Sequence, residues 1–210
     1  IESEAVEQLK KYEKLDGMIR IAGLPDLHAG RTPVGAAYMI KDKIYPSLIG
    51  SDIGCGIALF DTKIKMKKFS LDSFFKKLDK VRYLEDIETD VSEYDFPYLE
   101  KLGTIGSGNH FAEFQKIEKI YMKEEFDKVG INRENLMLMV HSGSRTYGQE
   151  IIEEYQSKYN DLPLLVETEG FQSYMNSHDK ALKFARVNRE LIAEKLLKAL
   201  GKNKPEIILD

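Results

Sequence analysis

The side chains best suited to chemistry in this sequence are one cysteine and three of the four histidines, which lie in or beside glycine-rich segments. Most of the 15 glycines fall within residues 23–56, 103–108 and 143–148. Glycine lets a backbone approach a ligand closely and leaves N–H groups free to bind anions. Thiolate and imidazole groups are ligands of transition-metal ions. The clustering therefore predicts a site that binds metal ions and phosphate groups.

Four residues are the candidate metal ligands: Asp52, Cys55, His110 and His141. Asp52 and Cys55 share one glycine-rich turn, so both could reach one metal ion, or Cys55 could bridge two. His110 follows a glycine-rich loop, and His141 follows an apolar run whose end is well placed to enter a site. Each residue also has a purely structural interpretation, because a lone cysteine is commonly a small buried side chain.

Polar residues beside these ligands are candidates for binding phosphate. Ser142 and Arg145 follow one candidate histidine, and Asn109 precedes another. Arg31 lies beside a glycine in the segment 25–31, which is typical of a turn. A guanidinium group matches the geometry of phosphate oxygens. A serine hydrolase is conceivable, but the sequence contains no Gly-x-Ser-x-Gly motif.

Composition narrows the class of protein. Lys and Arg number 31 against 35 Asp and Glu, which leaves a formal net charge of −4 and disfavours a non-specific coat on nucleic acid. The longest apolar run, residues 136–140, is far too short to cross a bilayer. The single cysteine excludes an internal disulfide and indicates a reducing, cytoplasmic environment. Lys63, Lys65, Lys67 and Lys68 form a charge run that indicates a solvated edge, with weak contact to an RNA backbone as the alternative.

These residues must be positioned by a mixture of strands and helices. Alternating or continuous apolar patterns predict strands over residues 36–41, 43–48, 56–64, 111–120, 136–140 and 207–210. Helical spacing predicts helices near the start and over residues 71–83, 146–159 and 170–200, the last closed by Gly201 as a C-cap. The order indicates an α+β fold with a central β-sheet and a long C-terminal helix. We expect one domain over 1–210, and a fragment that lacks the C-terminal part.

The motifs resemble those of the RtcB family of RNA-splicing ligases. The resemblance lies in Pro25-Asp26-Leu27-His28 with Gly30, Asp52-Ile53-Gly54-Cys55-Gly56, Gly103 to Phe111, and His141-Ser142-Gly143-Ser144-Arg145. It continues into the long helix at Asn188-Arg189, and order and approximate spacing agree over residues 1–200. Residues 24–31 and 45–50 are closer to the shorter subgroup that is associated with a peptide-release-factor homologue and with repair of ribosomal RNA.

The resemblance implies joining of RNA ends that depends on GTP and two Mn²⁺ ions. In that family a histidine is guanylylated, GMP passes to an RNA 3′-phosphate, and a 5′-hydroxyl displaces it; a 2′,3′-cyclic phosphate is first opened. Cys55 would be the bridging thiolate, with Asp52 on one ion and His110 and His141 on the other. Asn109 would contact the GTP phosphates, and Arg145 would contact RNA phosphate or the nucleotide.

The resemblance also implies a difference from the family. The guanylylated histidine of the family lies beyond the long helix, so no histidine of this chain corresponds to it, and the chain alone is expected to be inactive.

Two alternative functions would use the same sequence features. A dinuclear metal-dependent phosphoesterase would use the same ligands without GTP, and a non-catalytic nucleic-acid-binding module would tolerate loss of Cys55 and His141.

Overall fold

The helical and strand patterns of the sequence produce a mixed structure, and the predicted α+β class with a long C-terminal helix is confirmed. This computed structural model describes residues 2–81 and 83–210. Contacts divide the chain into two compact units: residues 1–51 with 148–179, and residues 52–147 with 180–210. The expectation of one domain stays a prediction. No helix within the two described ranges is long and apolar enough to cross a membrane.

The first unit is built around a hairpin and a helix. Its elements are α1 (Ser3–Tyr12), β1 (Met18–His28), β2 (Val34–Ile40), β3 (Lys43–Ile44), α2 (Pro46–Ile49), most of α5 (Thr146–Tyr159), β7 (Leu164–Leu165) and the start of α6 (Glu169–Ala199). β1 and β2 pair antiparallel, and so do β3 and β7. Ala5 and Leu9 of α1 pack with Leu27 of β1, so the apolar face of the helix covers the hairpin.

Two local patterns in the first unit fold differently from the prediction. The segment predicted to turn at Pro25 to His28 belongs to β1, whose pairing with β2 shifts register between Gly23 and His28. A Cβ atom at Gly35 would lie 2.6 Å from the Asp26 carboxylate, so the glycine opposite makes room for this irregularity. The strand predicted over 43–48 ends early, because Pro46 begins α2, where proline is favoured.

The second unit is organised by an antiparallel sheet of order β5-β6-β4-β8. Its elements are β4 (Gly56–Lys65), α3 (Leu71–Leu78), β5 (Phe111–Gln115), α4 (Lys123–Val129), β6 (Asn135–Ser142), β8 (Glu206–Leu209), three short 3-10 segments (Met66–Lys68, Leu84–Asp86, Leu99–Lys101) and the rest of α6. The central strands β4 and β6 bury Phe60 and Leu138 against Ile192 of α6, which forms the main core. Arg82, within the helix predicted over 71–83, lies outside the described residues.

The long helix α6 ends as its sequence predicts. It spans 31 residues, and Gly201 follows it with a φ of +67°, the left-handed conformation that glycine adopts without strain. The N–H of Gly201 donates to Lys198 O at 2.9 Å, and the N–H of Lys202 donates to Leu197 O at 2.8 Å. This pattern satisfies the last carbonyl groups of the helix, so the predicted C-cap is confirmed.

Candidate metal centre

Strand register brings the candidate ligands to one end of the sheet in the second unit. Cys55 immediately precedes β4, whose first residue, Gly56, pairs with Ser142 of β6. His141 of β6 pairs with Phe111, the first residue of β5, and His110 immediately precedes that residue. Three neighbouring strands therefore place a cysteine and two histidines at the same end of the sheet, although these residues are far apart in sequence.

The side chains of these residues meet. Cys55 Sγ lies 3.1 Å from His141 Nε2 and 3.5 Å from His110 Nε2, and one ligand atom from each residue lies within 4.8 Å of the others. Asp52 Oδ2 lies 2.8 Å from His110 Nε2. Ligand atoms around one transition-metal ion are about 3–4 Å apart, since each lies roughly 2.0–2.3 Å from the ion. The structure thus brings together the four predicted ligands at a suitable spacing, and their assignment to two ions stays a prediction.

Hydrogen bonds to the other ring nitrogens orient both imidazoles. His110 Nδ1 donates to Ile105 O at 3.1 Å, so Nε2, which faces both Cys55 Sγ and Asp52 Oδ2, is the nitrogen available to a metal ion. His141 hydrogen bonds to the backbone of Asn109 while its Nε2 faces the same sulfur. Such a second hydrogen bond fixes the tautomer and ring orientation of metal-binding histidines. The arrangement is therefore prepared for ligation through both Nε2 atoms.

Burial and neighbouring charges shift the pKa values of the cysteine and of one histidine in the cluster. Partial desolvation, together with the Asp52 carboxylate, raises the pKa of the Cys55 thiol to about 12, even though the residue retains solvent exposure. Burial, helped by the charge of His110, lowers the pKa of His141. A neutral imidazole can donate its lone pair to a metal ion, but the thiol must first lose a proton. A bound cation would supply the charge that this deprotonation requires.

Buried polar atoms without partners lie around the cluster. Among the described residues, Asp52 Oδ1, Ser144 Oγ and Arg145 Nε are buried and have no hydrogen-bond partner. Leaving such atoms unpaired is costly, so several in one place indicate a binding site for a ligand. Together with the sulfur and imidazole donors, the unpaired Asp52 oxygen fits a metal ion well. The donor set of thiolate, imidazole and carboxylate groups is compatible with Mn²⁺ or Zn²⁺, and the identity of the ion stays a prediction.

Two glycines leave the space that these side chains occupy. A Cβ atom on Gly143 would lie 2.1 Å from Asp52 Oδ1, and one on Gly106 would lie 1.6 Å from Arg145 Nη1. Any larger residue would displace the carboxylate or the guanidinium group. The glycine-rich motifs therefore serve the site by making room for functional side chains as well as by forming turns.

The candidate phosphate-binding residues have different surroundings. Arg145 has a φ of +58°, and its Nη1 lies 3.5 Å from His110 Nδ1 at the edge of the cluster. Asn109 is exposed beside it. Ser142 is fully buried, and its hydroxyl donates to Ile105 O at 2.9 Å. Arg31 lies in the first unit, where it lines a polar cavity of about 380 Å³. Their contacts with phosphate stay predictions, and the hydroxyl of Ser142 already has a partner within the protein.

Asn188 of α6 connects the loops of the site, a role that the sequence analysis did not assign. Its Oδ1 accepts hydrogen bonds from the N–H groups of Gly103 and Thr104 at 2.7 and 3.2 Å. Its Nδ2 lies within hydrogen-bond distance of Thr104 O, Ser142 Oγ and Gly143 O, at 3.1, 3.0 and 3.4 Å. One buried amide therefore joins the loop before His110 to the end of the strand that carries His141.

Arg189, the next residue of α6, connects the turn that carries Cys55 to the end of β6. Its Nη1 donates to Gly54 O and to Ser142 O, both at 2.8 Å, and its Nε donates to Asp210. The turn that carries Cys55 is thus tied to the end of β6. A sequence signal for this pair exists, because Asn188 follows Ala181 and Ala185 at helical spacing and falls on the buried face of α6. A polar residue on such a face must have internal partners.

Comparison with known proteins agrees with these features. The sequence profile of the family described as tRNA-splicing ligase RtcB matches residues 8–95 and 85–206. The RNA-splicing ligase RtcB2 of Escherichia coli strain ATCC 25922 is 40% identical, over 94% of this chain and 54% of the relative. The tRNA-splicing ligase RtcB of Nanoarchaeum equitans is 26% identical, over 96% of this chain and 55% of the relative.

The relatives are longer than this chain. The tRNA-splicing ligase RtcB of Methanococcus maripaludis is also 26% identical, over 91% of this chain and 54% of the relative. The chain thus spans about half the length of the relatives it matches. The profile nevertheless covers most of the chain, including Asp52 and the cluster of Cys55, His110 and His141. The chain belongs to the RtcB family.

Proposed function

We propose that the native protein is an RNA ligase that joins RNA 3′-phosphate or 2′,3′-cyclic phosphate ends to 5′-hydroxyl ends, using GTP and Mn²⁺, in tRNA splicing or RNA repair. The observation that carries the proposal is the convergence of Cys55, His110 and His141 within 4.8 Å, in a chain of the RtcB family. The names of the relatives support an RNA substrate. A single cysteine that must stay reduced to bind metal fits a cytoplasmic location.

The residues of the cluster have separate tasks in this proposal. Asp52, His110 and His141 would hold two Mn²⁺ ions together with Cys55, which would contribute its thiolate. When bound, the ions would neutralise phosphate charge and polarise a phosphoryl oxygen. The guanidinium of Arg145, at the edge of the cluster, would bind and orient a phosphate group of the RNA or the nucleotide. Asn109 would contact the GTP phosphates, and Arg31 is a further candidate for phosphate.

The test is incubation of the native protein with Mn²⁺ and α-labelled GTP, followed by addition of RNA that carries a 3′-phosphate and a 5′-hydroxyl. We expect labelled protein, loss of the label on addition of RNA, and a joined RNA product. The His178→Ala variant is the matched control for loss of a histidine. His178 lies in the first unit, outside the cluster, and its ring is within hydrogen-bond distance of Asp179. Joining that proceeds equally well without GTP would contradict the proposal.

The alternative is a metal-dependent phosphoesterase that needs no GTP. The same sulfur, nitrogen and carboxylate donors would serve it, because a metal centre can activate water for attack on phosphorus. The two functions differ in covalent chemistry, since an esterase forms no GMP adduct with the protein. Release of phosphate from the RNA end without labelling would favour the esterase.

We predict that residues 1–210 alone do not become guanylylated. His110 and His141 face Cys55 as candidate ligands, and a metal-bound nitrogen has no free lone pair. His28 Nδ1 lies 2.7 Å from Asp26 O, and His178 Nδ1 lies 3.2 Å from Asp179 Oδ1, outside the cluster. Mass spectrometry after incubation with GTP and Mn²⁺ checks this, with circular dichroism to verify the fold. A stoichiometric GMP adduct on a histidine would show that the nucleophile lies within this chain.

We also predict that Mn²⁺ affinity rises with pH. Because the pKa of the Cys55 thiol is raised to about 12, the thiol is protonated at neutral pH, and binding of a cation must displace that proton. Each unit of pH between about 7 and 9 should then increase the affinity roughly tenfold, since the thiolate fraction rises in that proportion. His141 adds no slope there, because its pKa is lowered.

Calorimetric titration of Mn²⁺ at several pH values measures this slope. The Cys55→Ala variant is the control, and its residual Mn²⁺ binding should depend on pH much less steeply. An affinity that is independent of pH in the unmodified protein would show that Cys55 does not bind the ion as a thiolate.

A further inference from the structure

The charge run at the end of β4 forms part of a cleft in the second unit. The cleft encloses about 420 Å³ and is lined by five lysines: Lys63, Lys65, Lys68, Lys77 and Lys202. They come from β4, the 3-10 segment after it, α3 and the turn after α6. No acidic residue is among those that line it. We call this feature the lysine cleft.

The lysines are only partly neutralised by the protein. Lys63 pairs with Asp61 and Glu206, and Lys65 lies 3.5 Å from Glu134. Lys77 donates to Leu200 O, an uncharged acceptor, at 2.7 Å, and forms no ion pair among the described residues. Lys68 and Lys202 form no ion pair within the described part of the chain. Local positive charge in a protein of net charge −4 attracts polyanions to one place rather than to the whole surface.

The backbone at Lys63 adopts an unfavourable conformation that its neighbours in the fold stabilise. Its φ is +57°, in the left-handed region that disfavours residues with a side chain, and the pairing of β4 with β6 shifts register between Asp61 and Lys65. The buried carboxylate of Asp61 accepts from Lys63 N at 2.7 Å and from Asn135 Nδ2 at 2.8 Å, which stabilises the bulge. Bulges commonly redirect a side chain toward a functional site.

Polar and aromatic groups complete the lysine cleft. Ser70 caps α3 by accepting from Ser73 N at 3.4 Å, and both serines line the cleft. Phe69 and Phe74 form an edge-to-face pair with ring centroids 5.4 Å apart on the same wall. Lysines beside aromatic rings are typical of surfaces that bind single-stranded nucleic acid without sequence preference. An acidic protein segment would use the lysines but has no need of the aromatic wall.

The lysine cleft and the metal centre lie at opposite ends of β4. The strand spans ten residues, with Cys55 just before its first residue and Lys65 at its last. At about 3.3 Å per residue the two ends are roughly 30 Å apart. A ligand of several nucleotides could therefore contact the cleft while its terminal phosphate lies at the metal centre.

We propose that the lysine cleft binds the phosphate backbone of a single-stranded RNA segment distant from the reacting end. The identity of this polyanion rests on the proposed ligase function, whereas the cleft itself rests on the geometry above. The lysines contribute affinity without sequence selectivity, because contacts with phosphate position a nucleic acid but do not read its bases.

The test measures binding of a fluorescent single-stranded RNA with a 3′-phosphate to the native protein, by anisotropy at several salt concentrations. We expect the Lys68→Ala/Lys202→Ala variant to bind about tenfold more weakly and to lower the salt slope by about 1.4, since each phosphate contact contributes about 0.7. The Lys68→Arg/Lys202→Arg variant should retain affinity. The control is the Lys11→Ala/Lys14→Ala variant, which removes two exposed positive charges from the first unit. It should bind RNA as tightly as the unmodified protein does.

Labelling by GTP separates this proposal from the proposed function, because neither Lys68 nor Lys202 belongs to the metal centre. The lysine variants should be labelled normally, and absence of labelling in the unmodified protein would contradict the ligase function alone. Equal RNA affinity and salt slope in the Lys68→Ala/Lys202→Ala variant, or no RNA binding by the unmodified protein, would overturn the cleft proposal. The cleft proposal would also be overturned if the Lys68→Ala/Lys202→Ala variant bound RNA normally but no longer bound poly-L-glutamate. That result would assign the cleft to an acidic protein segment.

Discussion

The Cys55→Ala variant of the native protein should bind Mn²⁺ at least about a hundredfold more weakly, while its fold is retained. Cys55 Sγ lies within 3.5 Å of both candidate imidazole ligands, so its removal takes away the atom that they share. Loss of a residue that merely orients a ligand lowers metal affinity about 10–100-fold, and loss of a ligand should exceed this. The proposed joining of RNA ends should be lost together with the metal.

The fold should survive because Cys55 is exposed and does not belong to the main core. The free energy of unfolding in the absence of metal should change by less than about 1 kcal/mol. Calorimetry with Mn²⁺ and thermal unfolding in a chelator measure the two quantities separately. His178→Ala, which removes a ligand-type side chain outside the cluster, is the control and should bind Mn²⁺ normally. Unchanged Mn²⁺ affinity in Cys55→Ala would leave the cysteine with a structural role only.

The Asn188→Ala variant should show the largest loss of stability among substitutions of single polar residues near the site. Asn188 is fully buried, and its amide bonds with groups of Gly103, Thr104 and Ser142. Alanine would leave the N–H groups of Gly103 and Thr104 and the carbonyl of Thr104 buried without the amide, at about 1–3 kcal/mol each where water cannot replace it. We expect the free energy of unfolding to fall by about 3 kcal/mol or more. Mn²⁺ affinity should fall as well, because the segments that carry His110 and His141 lose their connection.

Two further variants give this prediction a control. Asn203→Ala removes the same side chain from an exposed position after α6 and should change stability little. Asn188→Asp keeps an acceptor for Gly103 N but removes the donor and buries a charge, so it should also destabilise. Chemical denaturation without metal, followed by Mn²⁺ titration of the folded fraction, separates the two effects. An Asn188→Ala variant as stable as Asn203→Ala would show that the amide does not hold the loops together.

The candidate site was predictable from sequence because its residue types are rare and lie among glycines. One cysteine and a few histidines in glycine-rich segments predicted the cluster at Cys55, His110 and His141, and the structure brings these residues together. The long helix and its Gly201 cap were equally visible, because helical spacing and C-capping are local properties. Local chemistry thus identified the elements, while their register decided which residues meet.

Features that depend on distant partners were not predictable in this way. The extended course of β1 through Pro25 depends on the space at Gly35, which lies on the opposite strand. The bulge at Lys63 depends on Asp61 and on Asn135, 74 residues later than Asp61. The connecting role of Asn188 likewise depends on loops that lie more than 40 residues away. Each of these contacts is formed by tertiary structure, and no local pattern encodes its partner.

The register of the three strands at the metal centre has a consequence for the order of folding events. Cys55 is separated by 55 residues from His110 and by 86 from His141, so the ligands meet only after long-range strand pairing. Closing such loops is entropically unfavourable, and non-local pairing is generally slow. A metal ion that needs all three side chains would have little affinity for early states of the chain. It would therefore act chiefly by slowing unfolding, and Mn²⁺ would prolong the lifetime of the native protein without hastening its formation.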